Sequence, residues 1–393
     1  MLTKSVSRSF AAVVLFCALL SFFKFNHCRL NNWQSPDNYT HACYSDIPAL
    51  FTERGLDTHT FPYLSATNSI EYPPVIGLGN WLISFITPAS NSFRWFFDIN
   101  ALLLVALFVV SAFLVRKIKP QFAYLFPAAP AVIASLYINW DLWAVITALL
   151  AIYYFDKRRY EVSAIALGIS ISTKFFPVVV LLPIVVILYR SGLVKQLQRY
   201  ITTTLLFWLA INLPIAITYF AGWWRFFKLN LERSADFGSL WYGLNLLGFN
   251  TPSLNITYLL LTIGSFISLT VYLLKLKQLP TLAQCAFFAV VLFTTFSKVY
   301  SPQYVLWLTP LAVIALTNNR QQIAFWFWQA TEIIYHLAIW QYLASYSQAT
   351  FGLPAGGYAL AILLRIIGVS YFTYLLMRDL SAKSTAQICV ISR

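Results

Sequence analysis

The sequence predicts an all-α polytopic membrane protein, a bundle of about twelve transmembrane helices. Three observations carry that expectation. Of 393 residues, 59% are hydrophobic and only 10% are charged, whereas soluble domains carry about 25% charged residues. The apolar residues gather in runs long enough for a bilayer crossing, which takes about 20 of them. The charges stand in short breaks between those runs, where Lys and Arg set orientation. The net charge of +14 is therefore a topology signal and not the basic stripe of a nucleic-acid reader.

The whole chain, 1–393, reads as one integral membrane domain. Lys4 and Arg8 precede an apolar stretch from Phe10 to Phe25. The bulky Phe22-Phe23-Lys24-Phe25 offers no small-residue cleavage site, so an uncleaved first span over 9–25 is expected. Residues 26–95 then form a first external segment. Within it, Asp46 to Arg54 reads as a short amphipathic helix with Asp46 as its cap and Gly55 as its stop. Residues 75–88 are apolar but too short to cross, which suits a helix lying at the interface. Cys28 and Cys43 share this segment, where a disulfide can form.

Further spans are expected at 96–115, 200–220, 255–274, 279–296, 302–317, 322–341 and 356–377. The stretches 121–155 and 160–189 are too long for one crossing. As single helices they would put successive basic breaks on opposite sides; as hairpins of two short helices they put every basic break inside. The hairpin tips are then Asn139-Trp140-Asp141 and Thr173 to Pro177, both facing out. Both termini fall in the cytoplasm, 378–393 is a cytoplasmic tail, and 221–254 is a second external segment rich in aromatic residues. Most Lys and Arg lie inside and most Asp and Glu outside.

This topology collects Asp46, Glu71, Asp141, Lys174, Lys298, Arg233, Asp236 and Arg225 at one membrane surface. A carboxylate beside cations at a lipid boundary suits transfer chemistry, in which a hydroxyl is deprotonated and an anionic phosphate leaving group is stabilised. Each residue also has a plainer reading. Asp46 can simply cap its helix, Glu71 can be a solvated loop residue, and Asp141 can shape a turn. Lys174 and Lys298 can anchor at the interface, and Arg233 can pair with Asp236. Glu332 and Arg365 sit at similar depth in neighbouring spans, which predicts a buried structural ion pair. His336, one helical turn from Glu332, is either a hydrogen-bonded core residue or an acceptor-orienting one. Trp223, Trp224, Trp241 and Tyr242 are candidates for sugar or lipid contact.

The runs YSDIPALFTERG (Tyr44–Gly55), FPY and EYPP (Phe61–Pro74) resemble the first external loop of GT-C glycosyltransferases. More narrowly, they resemble the bacterial family 87 polyprenyl-phosphate-mannose-dependent transferases. NWDLWAV (Asn139–Val145), STKFFP (Ser172–Pro177), RSADFGSLWY (Arg233–Tyr242), SKVYSPQYVLWLTPL (Ser297–Leu311) and WQATEIIYH (Trp328–His336) extend the resemblance over about 40–377. It implies a GT-C type bundle whose external first loop carries short amphipathic helices. It also implies an inverting membrane mannosyltransferase of the plasma membrane, active on the extracytoplasmic side in cell-envelope biosynthesis. The sugar would pass from a polyprenyl phosphate carrier to a glycolipid or polysaccharide acceptor. In that assignment Asp46 is the catalytic base, and Lys174, Lys298 and Arg233 bind the donor phosphate. Glu71, His336, Asp236, Tyr300 and Gln303 contact or support the acceptor. No cofactor is obligatory and no nucleic-acid partner is expected. A divalent metal is compatible with Asp46, Glu71 and Asp141 acting together, although none is expected. The rival readings are a multi-span transporter or lipid-linked-sugar flippase, a non-catalytic partner in an envelope-assembly complex, and an enzyme using another sugar such as arabinose.

Overall fold

A computed structural model describes residues 2–391, with side chains from 7 to 382, so Lys4 and Cys389 lie outside the described side chains. Helices are the regular elements and no strand occurs among the described residues. The first helix, Leu2–Leu30, is followed by three short ones, Asp37–Thr40, Asp46–Glu53 and Pro74–Phe85, and then by the long Ser92–Ile118. Leu125–Ala128, Pro130–Ser135, Asp141–Asp156, Tyr160–Thr173 and Leu181–Arg190 come next, followed by Val194–Thr218, Phe220–Glu232, Leu240–Leu246 and Leu254–Lys275. Leu282–Phe296, Val305–Ala315, Asn319–Tyr346 and Ala355–Ile391 complete the order.

Five of these helices are long and apolar enough to cross a membrane: the first from Ser7, then Ser92–Ile118, Val194–Thr218, Leu254–Lys275 and the last one up to Ala382. Val194–Thr218 and Leu254–Lys275 leave most of their side chains uncovered by protein. Apolar faces of that size outside a core need a nonaqueous neighbour, so the chain is a membrane protein. Asn319–Tyr346 is long enough but too polar for the same criterion, because Gln322, Gln329, Glu332 and His336 interrupt it.

The two long apolar stretches do break where hairpin tips were expected. Asp141–Asp156 and Tyr160–Thr173 pack side by side, and Tyr160–Thr173 packs in turn on Val194–Thr218. The outer halves, before the first of these helices and after the second, are less regular. Residues 121–138 hold two short helices broken before Pro130, and Phe176–Val180 is a 3₁₀ turn with Pro177 in it. Proline supplies no N–H and crowds the preceding turn, which is why neither half continues as one helix. The expected span over 302–317 shortens similarly, to a 3₁₀ turn at Pro302–Tyr304 and then Val305–Ala315. The last helix runs on through Met377 to Ile391, into the segment expected to be a tail.

The short helix near residue 50 corrects one detail. Ser45, not Asp46, is its cap: the Ser45 side chain accepts from the Ile47 N–H, and Asp46 occupies the first helical position. The helix stops at Gly55, whose φ of 67° lies in the left-handed region that glycine enters at little cost. Cys28 and Cys43 are disulfide-bonded.

Candidate functional site

A single cavity of about 930 Å³ gathers most of the polar residues singled out above. Asp46, Glu71, Lys174, Arg233, Asp236, Lys298 and Gln303 all line it, although they are scattered over some 250 residues of sequence. Its apolar wall is aromatic. Trp307 lies between Phe176 and Tyr304, with ring centroids 3.9 and 3.7 Å away and the planes nearly parallel. Tyr39, Tyr44 and Trp340 form a second stack facing the same space.

Asp46 is held by the break between Pro130–Ser135 and Asp141–Asp156. Its backbone N–H donates to Ile138 O at 2.8 Å, and Ser45 Oγ donates to Tyr137 O at 2.7 Å. Because Ser45 does the capping, the Asp46 carboxylate is released toward the cavity. Asn139 Nδ2 lies 2.6 Å from Asp46 Oδ2 and 2.6 Å from the Tyr72 hydroxyl. Asn139 Oδ1 accepts from the Trp140 N–H, which fixes the amide's orientation. Burial pushes the Asp46 carboxyl up to about 6, against the lowering pull of hydrogen bonds from Asn139 and Tyr44 and of the Lys174 charge. A carboxylate so poised is a stronger base than a solvated one, yet largely ionised at neutral pH.

The cations fall into two groups. Lys174 is buried and its Nζ donates to Asp141 Oδ1 at 2.8 Å, while Trp307 Nε1 donates to the same oxygen. Asp141 is completely buried and does not itself line the cavity, so it acts as the counter-ion of Lys174. Lys298 donates to Leu231 O and Asn255 Oδ1, at 2.9 and 2.8 Å. Burial first, and the nearby Arg233 charge second, hold its ammonium below the ordinary lysine range. Arg233 reaches Asp236 at 3.3 Å, with a quarter of its side chain exposed. Two neighbouring cations with only one carboxylate between them form a site complementary to an anion.

Other predicted residues support the cavity from behind. The Glu332–Arg365 ion pair forms, with Nε to Oε2 at 2.9 Å and both side chains buried. The Arg365 guanidinium also donates to the carbonyls of Tyr300 and Ser301, at 2.5 and 3.1 Å, and so holds the backbone that carries Lys298 and Gln303. Tyr300 points into this support, its ring against the guanidinium at 3.4 Å, and does not line the cavity. Gly238 lies against the same loop with a φ of 76°; a Cβ there would sit 2.1 Å from Tyr300 O. His336 is also behind the wall, its Nε2 accepting from Trp340 Nε1 at 3.1 Å and its Nδ1 3.4 Å from Ser135 Oγ.

Glu71 lines the cavity as a clamp. It accepts from Arg54 at 2.5 Å and from Arg225 at 3.1 Å, which joins the two segments 26–95 and 221–254. Asp46, Glu71 and Asp141 do not converge as one ligand set: Glu71 is taken by two arginines and Asp141 by Lys174 and Trp307. Of the four second-segment aromatics, Trp224 lines the cavity. Trp223, Trp241 and Tyr242 bond instead to Asn212, Phe296 O and Tyr342.

Sequence reasoning passed over Asn139, Tyr72 and Asn255 as partners. Asn139 carried a usable signal, because an amide beside an aspartate at a helix break is a common turn element. Tyr72 stands in the EYPP run beside Glu71, and Asn255 carried no such signal. The chain matches no known protein-family model.

Proposed function

We propose that the protein is a membrane glycosyltransferase that moves one sugar, mannose in the first instance, from a polyprenyl phosphate to a glycolipid or polysaccharide acceptor. The observation that carries this reading is the pairing, in one aromatic-walled cavity, of the poised Asp46 carboxylate with the Lys298–Arg233 cationic site. The motif resemblance to GT-C family 87 points the same way. In the proposed arrangement twelve crossings, counting the short helix pairs, leave both termini in the cytoplasm and open the cavity on the extracytoplasmic side of the plasma membrane.

The step is a direct displacement. The acceptor oxygen bonds to the anomeric carbon as the bond from that carbon to the phosphate oxygen breaks. Asp46 takes the hydroxyl proton, and polyprenyl phosphate leaves with the bonding pair. Lys298 and Arg233 hold the phosphate as its charge grows, which is worth most where water is excluded. Lys174, paired with Asp141 through one of its three N–H donors, lines the same cavity and is a third cation available to the phosphate. The aromatic stacks present flat apolar faces to a sugar ring. Configuration at the anomeric carbon inverts, as expected for a single displacement with one base.

The test uses membranes that overexpress the protein, supplied with radiolabelled polyprenyl-phosphate-mannose and native glycolipid acceptors. Label passes to lipid or glycan with the parent and not with Asp46→Asn. Absence of transfer from this and from the arabinose-charged carrier, or equal transfer by Asp46→Asn, rejects the reading.

A further inference from the structure

Away from the cavity, at the end of the first helix, two histidines converge on one carboxylate. His27 Nε2 is 2.8 Å from Asp37 Oδ2, and His41 Nδ1 is 2.9 Å from Asp37 Oδ1. The two imidazoles stack with centroids 3.8 Å apart and planes 25° from parallel. The three ligand-type atoms lie within 4.8 Å of one another, and among the described residues no other set of three His, Cys, Asp or Glu side chains does so. We propose that His27, Asp37 and His41 bind one divalent transition-metal ion of the Zn²⁺ class, in a site independent of the sugar-transfer reading.

Three features favour a metal over a plain hydrogen-bonded cluster. Two imidazole nitrogens and one carboxylate oxygen are the borderline donors that Zn²⁺ takes at about 2.0–2.2 Å, and water completes the shell in open sites. The cluster is open enough for that, since about half of each histidine and 30% of Asp37 is exposed. His27 lies in the last turn of Leu2–Leu30, where carbonyl dipoles favour positive charge.

The scaffold is also set for it. Asp37 and His41 stand four apart on one turn, which puts both side chains on the same face. The Cys28–Cys43 disulfide closes the loop around all but His27, which adjoins Cys28. Asn31 Nδ2 donates to Asp37 Oδ2 at 2.8 Å, an outer contact of the kind that orients a ligating carboxylate. Through Gln341, whose amide donates to Thr40 O at 3.1 Å, the site abuts the long Asn319–Tyr346 helix. The ion would thus staple the disulfide loop, including Tyr39 of the cavity wall, to the first helix.

The experiment uses the full chain in detergent micelles, purified without a histidine tag, with its disulfide intact and after dialysis against chelator. Calorimetric titration with Zn²⁺ gives one ion per chain, and Zn²⁺ raises the melting temperature. Affinity falls at least tenfold, the loss that even an outer contact of a ligand typically brings, in His41→Ala and in Asp37→Asn. Co²⁺ gives visible bands of a nitrogen–oxygen site without strong thiolate charge transfer. Should an alanine variant fail to fold, His27→Gln with His41→Gln keeps polar groups in place and must also lose the ion. A parent that binds no Zn²⁺, or variants that bind it as tightly as the parent, overturns the proposal.

Discussion

Lys174→Ala removes the ammonium that stands 2.8 Å from Asp141, a carboxylate with no exposed surface. Only the Trp307 indole N–H then remains as a hydrogen-bond donor to Asp141 Oδ1. Breaking one side of a buried pair costs about 3–5 kcal/mol, because an uncompensated charge stays behind. An exposed pair would cost about 1 kcal/mol or less. The burial of both partners places this pair in the first class. Removing both charges with Asp141→Asn and Lys174→Met therefore recovers most of the loss, since no lone charge remains. Thermal unfolding in detergent, followed by the fluorescence of the 13 tryptophans, reads the difference. The single variant melts several degrees below the parent and the double variant close to it. A single-variant loss below about 1 kcal/mol, or a double variant worse than either single, refutes the reasoning on the exposed-pair scale.

Further outcomes follow from other contacts. Arg365→Met strands Glu332 and releases the carbonyls of Tyr300 and Ser301. It lowers stability by about 3–5 kcal/mol and also abolishes transfer, and Arg365→Lys does not restore it because a single ammonium cannot reproduce the planar fork. Cys28→Ser opens a loop of sequence separation 15; on the chain-entropy scale this costs about 3 kcal/mol, visible as a lower melting point that reductant no longer shifts. Asn139→Ala removes a donor that lowers the Asp46 pKa, so the acidic limb of the activity moves to higher pH and transfer at pH 7 falls roughly tenfold. Normal transfer by that variant would show that Asn139 does not position the base.

The long-range architecture was legible where a local cause writes it. Pro177 lies in an expected hairpin tip, Gly55 marks a stop, and the shared depth of Glu332 and Arg365 foretold their pairing, whereas the break before Pro130 was not anticipated. The convergence of Asp46, Lys298 and Arg233 was legible only through topology, because nothing local links positions so far apart. Failures came from competition between neighbours. Ser45 and Asp46 are both good caps, and adjacent residues differ by one step of direction that the sequence does not resolve. Glu71 stood between a solvated loop residue and an acceptor contact, and its clamp on two arginines was hidden because one of them, Arg225, lies 154 residues away. Tyr300 and Gln303 share one motif, yet Gln303 stands in the 3₁₀ turn Pro302–Tyr304 and faces the cavity, while Tyr300, before the turn, packs on Arg365. Five of the described helices are long and apolar enough to cross a membrane, whereas the helices of the two expected hairpins are shorter than that.

The pH dependence of kcat/KM for sugar transfer tests the role of Asp46 most directly. The half-buried carboxyl binds its proton more tightly folded than unfolded, at about 6 against 3.8. Its stabilising protonated form is fully present below 3.8 and lost as pH rises through 6, so ionisation costs up to about 3 kcal/mol at neutral pH. Asp46→Asn should therefore melt no lower than the parent at pH 7 while losing transfer. With the parent, activity should climb tenfold per unit below about pH 6 and level off above it. A flat profile from pH 5 to 8, or an Asp46→Asn protein that transfers sugar, would contradict the assignment of this carboxylate as the base.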